Sequence, residues 1–573
     1  MQVLNKGTPV NYKESCIIRI QPVDGDNISS LRDALRCIPD DQSCTLILEH
    51  GDYHFYSDHA TELFCFVSNN SEGLKRIAVP LIGIHDLTID GQGSRLIFHG
   101  RVCPFLIRNC TGITLKNFSV DYVRPFVSQG TIQAVDTEAV TVRMDTENPY
   151  YFDGGRIWFS GDCYHQQGCQ NGKLFKRDSF LHCLEFDTHK RETAYGVQDH
   201  YKMPASGVSE IEEGLIRLAT SYPTPLPQID NTLVISHDHR DCFGVCIDES
   251  SEVTIEGVDI YHTGAMAFIA QRSDTISLLS CTVAPHPNNG RMVSSFADAS
   301  HFVNCRGLIR IIGCRFENML DDPVNVHGIY SPVCRIIDKH TIEVMNGHHE
   351  QAGIPVADRG AEIRFVDQNS LLPIAHGMVK RVESINRFTW RVEFVNALPS
   401  VIRTGDCIES LQWVPDVEIR DCVFGKNRAR GPLISTAGSV KIEGNHFHHA
   451  GSAIKISGDC NDWFESGAVK DVLIRNNIFD NCGYGKWGTG IIAIDPEIRP
   501  SHLGHNAYHQ NISLIENEFR TFHQELIFAR SVDGLIIQGN RIEKTRDYPE
   551  KETTFEGLKT EACLHVQSDL PSC

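Results

Sequence analysis

Short runs of alternating apolar and polar residues recur along the chain, and most are followed by an Asn, Cys or Val and then by another apolar residue. Alternation at every second position predicts a β-strand with one buried face. The small or polar residue after the run predicts a bend before the next strand. The runs begin at Leu87, Ile113, Val253, Ile276, Leu308, Val417, Val440, Val472, Ile512 and Leu535.

The spacing of the bend positions gives the length of the repeat. Three separate intervals, 258–281, 422–445 and 517–540, are each 23 residues long. Repeats of this length that contain only short strands indicate a parallel β-helix. The Leu-x-x-Leu-x-Leu pattern of leucine-rich repeats is absent. We therefore predict an all-β fold, a right-handed parallel β-helix.

Two long segments interrupt the repeat with longer alternating strands, which predict inserted antiparallel domains, either small barrels or sandwiches. At the start, a strand at 16–20, a helix that begins near Asn27 or Ser29, and a strand at 45–49 suit a cap over the end of the β-helix. The expected parts are the cap and first coils (1–122), a first insert (123–237), β-helix with the candidate acids (238–330), a second insert (331–412) and C-terminal coils (413–573).

The composition narrows the classes of partner. The chain has 573 residues, 41% of them hydrophobic, and a formal net charge of −20. That charge argues against nucleic acids and anionic membranes as partners. The sequence contains no run of about 18 apolar residues, so no membrane span is predicted.

The cysteines and the first residues add two expectations. Among the 21 cysteines, Cys281, Cys314 and Cys422 occupy the bend position and are expected to be buried, and no Cys-x-x-Cys pair suggests zinc. The first residues lack the apolar core of a signal peptide. We expect a periplasmic or secreted bacterial protein whose signal has been removed, with the cytoplasm as the alternative.

Three carboxylates share the spacing of the repeat. Asp298 is followed 23 and 24 positions later by Asp321 and Asp322. One coil per 23 residues would stack them, with Asp298 one rung below Asp321. Clustered carboxylates raise one another's pKa, and glycoside hydrolysis needs one protonated and one ionised carboxyl group. In the alternative interpretation, Asp321-Asp322-Pro323 is only a solvated turn.

Polar residues near the acids extend the candidate site. Asn325 and His327 alternate with valines, and Arg430 lies eight residues after Cys422, in register with Asp322. Trp487 is a candidate for stacking on a sugar ring, and a packing role is its alternative. For the other candidate binding residues the alternative is a plain surface role. The predicted binding residues are Asn325, His327, Arg430, Arg272, Asn289 and Trp487, and no metal site is predicted.

Four motifs resemble glycoside hydrolase family 110, the bacterial α-1,3-galactosidases of the blood-group B type. They are Ile18-Arg-Ile-Gln-Pro, Asp241-Cys-Phe-Gly-Val-Cys, Phe296-Ala-Asp and Leu320-Asp-Asp-Pro, and the resemblance covers essentially the whole chain. It implies a β-helix with two β inserts, catalysis by Asp298, Asp321 and Asp322 with inversion, and no cofactor. The implied substrate is a terminal α-1,3-linked galactose on a B-type glycan, with linear Galα1-3Gal as a further candidate. The oligomeric state stays open, a homodimer included.

Polygalacturonases are the main competitor, because they are inverting β-helix enzymes with a lone Asp one turn before an Asp pair. Their Gly-His-Gly and Arg-Ile-Lys motifs are absent here, and a net charge of −20 suits a neutral sugar better than a uronic acid. A calcium-dependent pectate lyase and a non-catalytic β-helix adhesin are further alternatives.

Overall fold

The chain folds as a parallel β-helix with two antiparallel inserts, which confirms the predicted fold class. Most of it lies in two large sheets of mainly parallel strands. A bend divides the larger sheet in two, so that a regular coil has three faces. The computed structural model describes residues 16–39, 42–161, 180–197, 201–219, 226–237, 239–549 and 554–570.

The strands of the three faces follow one another in chain order, coil by coil. His85–His99, Thr111–Tyr122 and Ser251–Ile260 run through the bend and belong to both the first and the second face. The other strands of the first face are Cys16–Ile20, Cys44–Leu48, Asp274–Leu279, Arg306–Ile312, Pro415–Arg420, Ser439–Glu443, Asp471–Arg475, His509–Ile515, Val532–Gln538 and Leu564–Ser568. The other strands of the second face are Asp52–Tyr56, Thr282–Val283, Arg315–Glu317, Val423–Gly425, His446–His448, Ile478–Asp480, Glu518–Thr521 and Arg541–Lys544.

The third face is the separate sheet. Its parallel strands are Gly73–Ile82, Cys103–Arg108, Val245–Asp248, Phe268–Gln271, Ser300–Val303, Val324–Ile329, Leu433–Ser435, Ile454–Ile456, Ile492–Ile494, Glu525–Arg530 and Gly557–Glu561. Two short strands pair with it antiparallel: Thr61–Cys65 with Gly73–Ile82, and Glu465–Ser466 with Val324–Ile329.

The bend residues form a ladder of side-chain hydrogen bonds through the stack. The backbone N–H of Asn445 donates to Oδ1 of Asn477 at 2.9 Å, and the N–H of Asn477 donates to Oδ1 of Asn517 at 3.0 Å. Cysteines continue the ladder, because the N–H of Cys281 lies 3.4 Å from Sγ of Cys314. The expectation that the bend cysteines are buried is confirmed. The ladder gives each buried amide at the bend a partner in the next coil.

In five successive coils the residue two positions after the bend places an aromatic ring in the core. Successive ring centroids are 4.9–5.7 Å apart, a separation at which aromatic pairs attract. The rings belong to Phe316, Phe424, Phe447, Phe479 and Phe519.

The cap has the predicted strand and helix. The strand Cys16–Ile20 pairs in parallel with Cys44–Leu48, and the helix Ile28–Arg36 buries Ile28 and Leu31. Asn27 takes the N-cap position, but its side chain accepts from the N–H of Val23 instead of from the helix. Among the described residues no helix is long and apolar enough to span a membrane.

Both inserts are antiparallel sheets that leave the β-helix and return beside their starting point. The first insert forms an eight-stranded sheet in which Val127 pairs with Ser236, and the second a closed six-stranded barrel in which Ser331 pairs with Ile408. The first contains Val127–Val135, Ala139–Met144, Phe180–Asp187, Glu192–Thr193, Tyr201–Pro204, Val208–Glu212, Leu215–Ala219 and Thr232–Ser236, with a separate hairpin Tyr150–Asp153 and Arg156–Phe159. The second contains Ser331–Ile336, Thr341–Met345, Glu362–Val366, Pro373–Ser384, Thr389–Phe394 and Cys407–Ser410.

The ladder predicts a specific loss of stability when one amide is removed. In Asn477→Ala, the N–H of Asn445 and the carbonyl of Ile442 lose their partners inside the stack. A buried polar group left unsatisfied costs about 1–3 kcal/mol, so we expect a lower unfolding midpoint in thermal and denaturant melts. Asn506 is exposed, and Asn506→Ala is the matched control. Equal midpoints for the two variants would show that the ladder does not stabilise the fold.

Candidate active site

The three predicted acids lie in the turns that connect the second face to the third. Ser300 pairs with Val324, so Asp298 and Asp322, each two residues earlier, lie side by side on neighbouring coils. The predicted alignment of Asp298 with Asp321 is therefore wrong by one residue, because these paired strands are 24 residues apart rather than 23. Asp298 is 3% exposed and Asp322 is 1% exposed.

Asp321 is held by two guanidinium groups. Nη2 of Arg240 donates to its Oδ2 at 2.8 Å, and Nη2 of Arg428 donates to its Oδ1 at 2.8 Å. Nε of Arg428 also donates to the carbonyl of Leu320 at 2.6 Å, which fixes the guanidinium plane. Charge-assisted hydrogen bonds at both oxygens favour the ionised carboxylate.

Asp322 has a different environment, although it is the next residue. Burial raises its pKa well above the ordinary value, and the nearby Asp321 and Asp298 raise it further. Arg430 opposes this shift, with Nη2 at 3.1 Å from Oδ2 of Asp322. The predicted register of Arg430 with Asp322 is confirmed, because Asn325 pairs with Leu433.

Asp298 is a second acid whose surroundings favour the protonated form that glycoside hydrolysis requires. Burial raises its pKa to about 8, with a further contribution from Asp321 and a smaller opposing one from Arg240. Its Oδ2 lies 2.6 Å from Nδ1 of His301. The site thus contains a carboxyl group that holds a proton, Asp298, and a carboxylate that is held ionised, Asp321.

A buried polar chain continues from Asp298 across the outer side of the third face. Nε2 of His301 lies 2.9 Å from Nε2 of His327, and Nε2 of His327 lies 3.5 Å from Oε1 of Glu465. Nδ2 of Asn325 donates to the same glutamate oxygen at 3.3 Å. Burial lowers the pKa of His301 to about 4 and also lowers the pKa of His327.

The second insert contributes to the wall of the site. Its short 3-10 turn His349–Gln351 brings Oε2 of Glu350 to 3.7 Å from Nη1 of Arg240. The guanidinium carbon of Arg240 lies 5.8 Å from the ring centroid of Trp463, which is 37% exposed. Trp463 also lies against His348, with ring centroids 4.3 Å apart. An aromatic face therefore borders the charged cluster.

Four polar atoms around the acids lack a hydrogen-bond partner within the described part of the chain. Buried polar groups are normally satisfied, so such atoms indicate a place for water or a polar ligand. A sugar ring carries hydroxyl groups that can both donate and accept. The four atoms are Oδ1 of Asp322, Oδ1 of Asn325, Oε2 of Glu350 and Nε of Arg430.

Two predicted binding residues, Arg272 and Asn289, have other partners in the structure. Arg272 binds Asp358 at 2.7 Å and stacks on Trp413, because the junction with the second insert takes up its charge. Asn289 accepts from the N–H of Arg291 and lines a small cavity at the first insert.

Trp487 shows the packing role that was the alternative to sugar stacking. It is partly buried and packs against apolar clusters that include Leu320, Val197 and Tyr484. Leu320, which belongs to one of these clusters, directly precedes Asp321, so this packing adjoins the turn that carries the acid.

Sequence reasoning missed several residues of the site. Arg428 lies two positions before Arg430, and His301 pairs with Asn325, so register alone could have suggested both. Arg240, Glu350 and Glu465 come from segments outside the regular repeat, and their positions depend on how the inserts and loops fold back.

Comparison with known proteins gives consistent results for the inserts and for the whole chain. Residues 128–233 match a family model described as GLAA-B beta-barrel domain I, and residues 341–408 match GLAA-B beta-barrel domain II. Over 549 residues the chain is 36% identical to alpha-1,3-galactosidase A of Shewanella woodyi, covering 95% of this chain and 87% of that protein. Over 534 residues it is 34% identical to alpha-1,3-galactosidase B of Bacteroides thetaiotaomicron, covering 91% and 84%. The chain belongs to the α-1,3-galactosidase family, glycoside hydrolase family 110.

Proposed function

We propose that this protein is an exo-acting, inverting α-1,3-galactosidase that removes terminal α-1,3-linked galactose from blood-group B-type glycans and from linear Galα1-3Gal. The observation that carries the proposal is the environment of the stacked acids. Asp298 and Asp322 are buried side by side with raised pKa values, and Asp321 is held between two arginines. The names of the relatives support the same bond as the target.

The arrangement supplies what inversion requires. A protonated carboxyl group donates its proton to the glycosidic oxygen while an ionised carboxylate takes a proton from water on the opposite face of the sugar. Neighbouring strands are about 4.8 Å apart, and carboxyl groups about 6.5–9.5 Å apart leave room for that water. Asp298, which holds a proton, and Asp321, which is held ionised, lie on turns of neighbouring coils one residue out of register.

The arginines favour a neutral sugar. Arg240 and Arg428 face Asp321, and Arg430 faces Asp322, so their positive charges are balanced by acids within the site. A uronic acid would add a negative charge beside three carboxylates, and like charges in a buried site repel strongly. Galactose has no such charge, which separates this site from one that cleaves pectin.

We expect removal of any one acid to abolish most of the activity. In Asp298→Asn, Asp321→Asn and Asp322→Asn the shape is kept, but one carboxyl group can no longer accept or donate the required proton. We expect kcat/KM for the B-type trisaccharide to fall by about two to four orders of magnitude, the range of general acid–base effects. Asp338 is exposed on a hairpin of the second barrel, and Asp338→Asn is the matched control. Wild-type rates in all three variants would rule out the site.

The stereochemistry gives a separate test. Inversion at an α-galactoside releases β-galactose first, before the anomers equilibrate in water. Proton NMR during hydrolysis of B-type trisaccharide and of linear Galα1-3Gal should show the β-anomeric signal first. Early α-galactose would contradict inversion, and cleavage of only one substrate would define the specificity.

The raised pKa of Asp298 also predicts how stability depends on pH. The folded value is about 8, and the ordinary value is 3.8. Between these values Asp298 binds a proton in the folded state that it does not bind in the unfolded state, so its contribution to stability falls as the pH rises from about 4 to about 8. Asp298→Asn lacks this proton, and its unfolding midpoint should therefore exceed that of the wild type at pH 8 more than at pH 5. A constant difference across this range would show that Asp298 has an ordinary pKa.

A further inference from the structure

The contacts between Asp298, His301 and His327 restrict where their protons can lie. Nδ1 of His327 is 2.7 Å from the backbone carbonyl of Gly328, and a carbonyl only accepts. Nδ1 of His327 therefore carries a hydrogen. The other two contacts are nitrogen to nitrogen at 2.9 Å and nitrogen to carboxyl oxygen at 2.6 Å. Each of these distances requires one hydrogen between the two atoms.

Counting the hydrogens fixes the charge of the trio. Three contacts with one hydrogen each give three protons, which is one more than two neutral imidazoles beside an ionised carboxylate would hold. The net charge of the trio is therefore zero. If His327 is neutral, its Nε2 accepts, Nε2 of His301 donates, and Nδ1 of His301 and Asp298 share the remaining proton.

The extra proton can move without breaking a contact. When it passes from Oδ2 of Asp298 to Nδ1 of His301, the hydrogen on Nε2 of His301 can pass to Nε2 of His327. Each contact then still contains one hydrogen, and the trio still has no net charge. The three side chains are 0–5% exposed, so water does not compete for these positions.

We propose that His301 and His327 are positioning residues that hold one proton jointly with Asp298 and so set the charge of this acid in the reaction. The proposal rests on the proposed function, because it concerns an acid of that site. His301 contacts Asp298 directly, and His327 acts through His301.

Charged groups of both signs face the trio. Arg240 and Arg430 face Asp298 with positive charge, and Asp321 and Glu465 face it with negative charge. His301 faces the same glutamate together with Arg240, Asp321 and Glu350. Burial lowers the pKa of both histidines and raises the pKa of Asp298, which favours the form with neutral rings and the proton on the acid.

Two variants separate this role from simple packing. In His301→Asn and His327→Gln the new side-chain amide can donate or accept a hydrogen bond but cannot titrate. The proton of Asp298 is then no longer shared along the chain of rings. We expect the limb of the pH profile of kcat/KM that belongs to Asp298 to move to lower pH by about one unit, while the other limb stays. His327 does not touch Asp298, and a shift in His327→Gln is therefore the sharper result.

The matched control is another buried histidine. His509 is fully buried and accepts only from the N–H of Val469 within the described residues, so His509→Asn should leave both limbs unchanged. Unmoved limbs in His301→Asn and His327→Gln, with only a lower kcat, would overturn the proposal.

A measurement without substrate distinguishes this inference from the proposed function. Above pH 7 the histidines of the unfolded chain are mostly neutral, so only the folded trio holds the extra proton. The unfolding midpoint of the wild type should therefore fall between pH 7 and pH 8, and the fall should be smaller in His301→Asn and His327→Gln than in His509→Asn. An equal fall in all of them would overturn the inference even if the enzyme cleaves galactosides. A wild type that melts as expected but cleaves no α-galactoside would refute the proposed function and leave the shared proton in place.

Discussion

In the coils from Cys281 to Asn540, the backbone amide at each bend needs a hydrogen-bond partner and finds it in the next coil. The partner is the side chain at the bend position of the next coil. The amide of Asn445 therefore depends on Asn477, and that of Asn477 on Asn517. A coil that slipped by one residue would lose the bond and bury the wrong face of each strand. The register of the whole stack therefore follows from this one requirement.

The site uses the same register for chemistry. Strands that are locked in register place the residues just before them on top of one another, and in this way Asp298, Asp322 and Arg430 come into one column. The fold can hold the acids together because the stack is stable elsewhere and arginines balance part of their charge. Burial then raises the pKa values that hydrolysis needs.

The sequence predicted the features that the repeat controls. The period, the buried cysteines, the cap and the column of Asp322 and Arg430 all follow from spacing within a regular stack. The prediction for Asp298 missed by one residue because the first-face strand of this coil, Arg306–Ile312, contains one extra residue at a bulge. Arg240 and Glu350 could not be predicted, because ion pairs between distant segments leave no periodic trace in the chain. Trp487 was misassigned because the sequence of a loop does not show whether its tryptophan is exposed or packs against neighbouring side chains.

The ladder is not chemically uniform from end to end. Around the acids it consists of the thiols of Cys281, Cys314 and Cys422, and only from Asn445 onward does it consist of amides. Sulfur is a weak donor and acceptor, so the coils that carry the chemistry are joined more softly than those behind them. At the bend, the coils that carry the candidate acids are therefore held by weaker hydrogen bonds than the C-terminal coils behind them.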